Sequence, residues 1–128
     1  KDKLAVIDKR ISDIDYRINN KQAGYVYVIS SPALKGMVKI GSTRRLNPTI
    51  RVKELSSSSL PYPFIVHGFV FSNDCFDLEA KLHRYFNYCR VHKDREFFYA
   101  EPKEVINVLK NKFNCEVYFE NEESNDEL

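Results

Sequence analysis

Nowhere does this chain hold the run of roughly 18 apolar residues that a membrane span needs, and it has no secretory signal. These residues therefore offer no segment to cross or anchor in a bilayer. The chain opens on Lys1 rather than Met. The expectation is a piece of a longer protein, with an upstream domain missing and a whole that can be membrane-associated even though this part makes no membrane contact. Cysteine is sparse: Cys75, Cys89 and Cys115, an odd number without a C-x-x-C pair. That argues against a disulfide framework and against a zinc site, and points to a reduced, intracellular (cytoplasmic) setting with buried or half-buried thiols. Lysine and arginine are absent from residues 116–128, which carry six acids. All 20 Lys and Arg thus stand in residues 1–115 against 12 of the 18 acids, an excess of eight. A basic body with an acidic tail suits a polyanion binder, although basic faces are also often just solvated.

What is present suits one domain with one core: 128 residues, 43% hydrophobic, with nine Phe and eight Tyr. Residues 24–51 organise the rest. They read as a strand (25–30), a turn carrying Pro32 and Gly36, a second strand (37–40), a break at Gly41-Ser42-Thr43, and a basic stretch with Arg44, Arg45 and Arg51. Tyr25 and Tyr27, two apart, share one strand face, and Val26 and Val28 share the other. Tyrosines on a strand, Lys39 on its partner and arginines beyond a glycine suit gripping a phosphate. Packing tyrosines and an edge lysine that discourages aggregation are the plainer alternative.

V-Y-V-I at 26–29 followed by V-K-I-G-S at 38–42 resembles the GIY-YIG nuclease superfamily. Within it, the chain is most similar to the branch related to phage T5 Orf172 and the fungal meiotically up-regulated proteins. R-V-K-E-L at 51–55, P-Y-P-F at 61–64, L-E-A-K-L-H-R-Y-F at 78–86 and R-E-F-F at 95–98 follow in order. The likeness spans about residues 23–109, and it resembles the C-terminal domain of bacterial phage-defence proteins. It implies a metal-dependent DNA endonuclease acting against phage DNA. It also implies residue roles. Tyr27 aligns with the first-motif tyrosine, with Tyr25 as the fallback, and would orient the attacking water. Arg51 would stabilise charge on the phosphorane. Glu79 would be the single metal-ligating carboxylate for Mg2+, with Mn2+ as a substitute, and His83 would stand second to it. The chain departs from the pattern twice: Lys39 replaces the second-motif tyrosine, and Leu55 stands where many members carry a His or Tyr base.

The remaining segments are read from pattern. Leu4, Ile7, Ile11, Ile14 and Ile18 form an a/d seam over residues 1–20, either a dimerising stalk or a docking helix. Asn47 and Pro48 begin a helix reaching about Leu55, with Ile50 and Leu55 inward. Residues 56–59 form a polar loop, and 64–71 form a buried strand. His67 lies in that strand. It is either structural or a candidate for the missing base. Asp74 caps a helix over 74–88, with Phe76, Leu78, Leu82 and Phe86 inward and with Glu79 and His83 sharing a face. Arg44, Arg45, Lys53, Arg90 and Lys93 can touch DNA phosphates. A short aromatic strand at 94–99, a helix from Pro102, and a strand at 116–119 close the domain. The expected fold is α/β (α+β): a mainly antiparallel sheet of about three strands flanked by helices. A stalk covers 1–22, the domain 23–119, and a disordered acidic tail 120–128. No recognition helix stands out, so little sequence specificity is expected.

Overall fold

The computed structural model describes residues 20–45, 47–56, 61–93 and 95–118. The helical stalk with its seam, most of the serine loop, Phe119 and the acidic tail lie outside the described residues. Among the described residues the fold is α+β, an open antiparallel sheet of five strands with three helices. The strands are β1 (Gly24–Ser30), β2 (Val38–Thr43), β3 (Ile65–Ser72), β4 (Phe97–Phe98) and β5 (Val117–Tyr118). The helices are α1 (Pro48–Leu55), α2 (Cys75–Tyr85) and α3 (Pro102–Asn111). Strand order is β4-β2-β1-β3-β5. The three long strands are those expected, and two two-residue strands extend the sheet at its edges.

Central position explains the composition of β1. It is buried from Gly24 through Ile29, because elements cover the sheet on both sides. Its valines, with Val38, Ile40 and Val70, pack under Cys75, Leu78, Leu82 and Phe86 and under Val105, Ile106 and Leu109 of α3. Its tyrosines and Ile29 pack on the other face with Phe69, Tyr118 and Val52 of α1. Each of these large apolar side chains contributes about 1.5–3 kcal/mol by leaving water. The cysteines are free, with Cys75 buried and Cys89 and Cys115 half-buried.

Local signals set the helix starts. The Asn47 side chain accepts from Thr49 N, with Pro48 in the first turn, and Asp74 accepts from Asp77 N. Two boundaries and one pair of buried positions differ from expectation. β2 runs on through Gly41, Ser42 and Thr43, pairing Tyr27 with Gly41 and Tyr25 with Thr43. The glycine marks a close backbone approach rather than a break. Ile50 and Phe76 are exposed. The inward phase of α1 is set by Pro48 and Val52, and that of α2 by Cys75, Leu78 and Leu82, so residues two positions off these rows turn outward. Helix α2 ends at Tyr85, and residues 87–89 continue as a 3-10 turn.

Candidate active site

The β4 ladder covers only Val38 and Lys39 of β2. Beyond it, the edge at Gly41–Thr43 meets α2 and the end of α1. Tyr27 enters from the central strand. A Cβ on Gly41 would come within 2.5 Å of Tyr27 Cζ, so the phenol lies across the glycine backbone and carries its hydroxyl over β2. Burial pushes this hydroxyl up to about 12, with the Glu96 charge adding to the rise. The Arg51 guanidinium opposes the rise by its charge and by a hydrogen bond to the phenol. Tyr27 is therefore a neutral phenol at physiological pH.

Arg51 stands in α1 with its side chain half exposed and its Nη1 3.6 Å from Glu54 Oε1. It is placed by the capped helix start and by Val52, which pins α1 to the sheet. Glu79 projects from α2 to the β2 edge. Ser42 Oγ donates to Glu79 Oε1 at 2.5 Å, and His83 Nε2 lies 3.5 Å from Oε2. His83 Nε2 is also 2.9 Å from Ile40 O. A carbonyl only accepts, so this nitrogen carries the proton, and the ring braces α2 against β2. Burial holds His83 below its usual value.

Glu96 was not singled out from the sequence. Its backbone carbonyl accepts from Ile40 N at 3.0 Å, and its Oε1 accepts from Lys39 Nζ at 2.7 Å. Its carboxylate also lies near enough to Glu79 for its charge to act on that carboxyl. Burial raises the Glu79 carboxyl to about 7 against the Ser42 hydrogen bond, and the Glu96 charge adds to the rise. Burial works against Glu96 too, yet Lys39 holds it below the usual carboxylate range. Burial and the Glu96 charge thus favour the protonated form of Glu79, and Lys39 favours the ionised form of Glu96. The only cue in the sequence was its place in R-E-F-F at 95–98. Its partner Lys39 is 57 residues away.

The other candidates are dispersed. Tyr25 is fully buried and packs edge-to-face on Phe71 at 5.4 Å. His67 lies on β3, across β1 from β2, 2.7 Å from Ser30 Oγ. The structure does not bring it to Glu79. Arg44 donates to the carbonyls of Ala23 at 2.9 Å and Asn20 at 2.5 Å, so its guanidinium ties residues 20–23 to β2. Arg45 pairs with Glu54 at 3.0 Å. Arg90 donates to Arg95 O at 2.8 Å and lies over the Phe98 ring. Lys53 and Lys93 are exposed.

The donors around Glu79 are oxygens: its own carboxylate, that of Glu96 and the Ser42 hydroxyl. Among the described residues no group of three or more His, Cys, Asp or Glu could hold a metal. A sparse oxygen set fits a hard cation that keeps much of its water, as Mg2+ does, and does not fit a zinc cage.

The T5orf172 domain matches residues 24–112. The chain belongs to the T5orf172 domain family. This is a GIY-YIG-like, nuclease-associated family, so the domain is nuclease-related and DNA is its implied partner. The matched span takes in Tyr27, Lys39, Arg51, Glu79 and Glu96, and ends just past α3. No curated protein and no solved structure matches the chain. Among the described residues no helix is long and apolar enough to cross a membrane.

Proposed function

We propose that this T5orf172 domain is a metal-dependent DNA endonuclease that hydrolyses phosphodiester bonds with little sequence specificity, in defence against phage. The observation that carries the reading is the meeting of Tyr27 from β1, Arg51 from α1 and Glu79 from α2 at one sheet edge. The Arg51 hydrogen bond and the Glu79 charge both act on the Tyr27 hydroxyl.

In this reading Tyr27 works as a neutral phenol. Its oxygen accepts from Arg51, and its own proton is left to orient the attacking water or a phosphate oxygen. Arg51, half exposed, reaches the phosphate and stabilises charge as it builds on the phosphorane oxygens. Glu79 would hold Mg2+, or Mn2+ in its place, and the ion would supply Lewis-acid polarisation and assist the leaving oxygen. Ser42 fixes the Glu79 carboxylate, and His83 fixes the distance between α2 and β2. Lys53, Arg45, Arg90 and Lys93 would position the DNA backbone. Phage defence rests on the resemblance alone.

A second reading, a DNA-binding module without catalysis, is favoured by one observation. Tyr27 keeps its proton, Lys39 is engaged by Glu96, and Leu55 supplies no base, so none of the three positions where the family pattern would put a proton acceptor offers one to the water. Supercoiled plasmid incubated with Mg2+, Mn2+ or EDTA separates the two. Nicking that needs the metal supports the endonuclease. Salt-sensitive retention without nicking under either metal supports the binding module.

A further inference from the structure

We propose that Glu96 is a second metal-ligating carboxylate, binding the divalent cation together with Glu79, with Lys39 as the counter-ion that holds Glu96 in place. The inference rests on the endonuclease reading only for the presence of such a cation.

Three observations carry it. Glu96 is built into the site by its backbone as well as its side chain. Its carbonyl accepts from Ile40 N at 3.0 Å, and the next residue, Phe97, pairs with Lys39 on β2. Its carboxylate therefore emerges, 2.7 Å from Lys39 Nζ, at the β2 edge that Glu79 reaches from α2 through Ser42, and the charge of each carboxylate acts on the other. Carboxylates this close repel when both are ionised, and a shared divalent cation removes that repulsion.

The second observation is accessibility. The Lys39 side chain is 12% exposed and that of Glu96 is 40% exposed. Lys39 thus contacts Glu96 from the protein side and leaves the carboxylate open to solvent, where a hydrated cation and a phosphate oxygen can arrive.

The third observation is charge. Once Glu79 is ionised, two carboxylates stand against Lys39, while Arg51 supplies the positive charge that faces phosphate. Lys39, which stands where the resembled family carries a tyrosine, becomes a positioning residue for Glu96 rather than a phosphate ligand.

Mn2+ titration of the full 128-residue chain without DNA, followed by the EPR signal of free Mn2+, tests this. Glu96→Gln is expected to weaken Mn2+ about tenfold or more, the scale on which changes around a metal site act. Glu79→Gln weakens it at least as much. Lys39→Met removes the contact that positions Glu96 but keeps both carboxylates, and is expected to weaken Mn2+ less than Glu96→Gln does. Glu96→Asp keeps the charge on a shorter arm and serves if the Gln variant fails to fold; it too weakens Mn2+. Circular dichroism melts confirm that the proteins compared are folded.

Glu96→Gln or Glu96→Asp binding like the wild type, while Glu79→Gln binds weakly, would overturn the inference and leave the endonuclease reading standing. Equal weakening by Glu96→Gln and Lys39→Met would also overturn it, since Glu96 would then act only through its ion pair. A wild-type protein that takes up no Mn2+ without DNA would overturn the inference, and the plasmid assay would still decide the endonuclease reading.

Discussion

A methyl group placed on Gly41 would lie within 2.5 Å of Tyr27 Cζ, and Tyr27 is 2% exposed and walled in by Tyr25, Ile29, Val52 and Phe69. The phenol has nowhere to move. Gly41→Ala is therefore expected to cost about 1–3 kcal/mol, the usual range for overpacking, read by urea denaturation. It is also expected to lower any cleavage, because Tyr27 is displaced. At Glu79 the residue-scale prediction concerns pH. Folded Glu79 keeps its proton to about 7, whereas its ordinary value is 4.5. Between those values the native state binds more protons than the unfolded state, so stability falls as pH rises through that window. Above it the ionised carboxylate costs roughly 1–3 kcal/mol. Glu79→Gln should flatten the decline in urea midpoint between about pH 5 and about pH 8. Equal slopes in the two proteins would contradict the assignment. The same titration frees the carboxylate for a cation, so cleavage should rise with pH through about 7.

Helix α1 holds the sheet with two buried residues, Pro48 and Val52, and starts at a side-chain cap, Asn47 Oδ1 accepting from Thr49 N at 3.0 Å. Asn47→Ala should cost about 0.5–2 kcal/mol. Because α1 carries Arg51, kcat/KM on plasmid should fall more than DNA retention does. Elements were the scale most open to reading from sequence. Asn47-Pro48 and Asp74 announced their helices because capping is local chemistry, and the alternation of Tyr25 and Tyr27 with Val26 and Val28 placed the two faces of β1 correctly. Gly41 misled because a glycine in a turn and a glycine beneath a tyrosine look alike until the partner strand is known. Glu96 could not be found by pattern: what makes it part of the site is a lysine 57 residues earlier, and only the pairing of β4 with β2 joins them. His67, left open between a structural role and a base, and Arg44 show the opposite case. Their residue types suited the chemistry, but the topology turned them to Ser30 and to backbone carbonyls.

Across the whole molecule, the sheet order β4-β2-β1-β3-β5 places a long strand, β2, beside a two-residue one. The segment of β2 that outruns β4 is where the tyrosine, the arginine and the carboxylates meet. Excess positive charge over residues 1–115 predicts DNA retention that falls steeply with salt. Lys53→Ala and Lys93→Ala should each weaken retention alike on unrelated sequences, as phosphate contacts do, measured by filter binding over a salt series. A loss confined to one sequence would contradict a backbone-reading surface. The central claim is that Tyr27, Arg51 and Glu79 form one hydrolytic site. Its most direct test is plasmid nicking in Mg2+ by the wild type beside Arg51→Ala and Glu79→Ala, with DNA retention measured on the same proteins. The account predicts metal-dependent nicking by the wild type alone, with retention preserved in Glu79→Ala. Nicking that survives Glu79→Ala, or a wild type that binds DNA but cuts it under no metal, would contradict it.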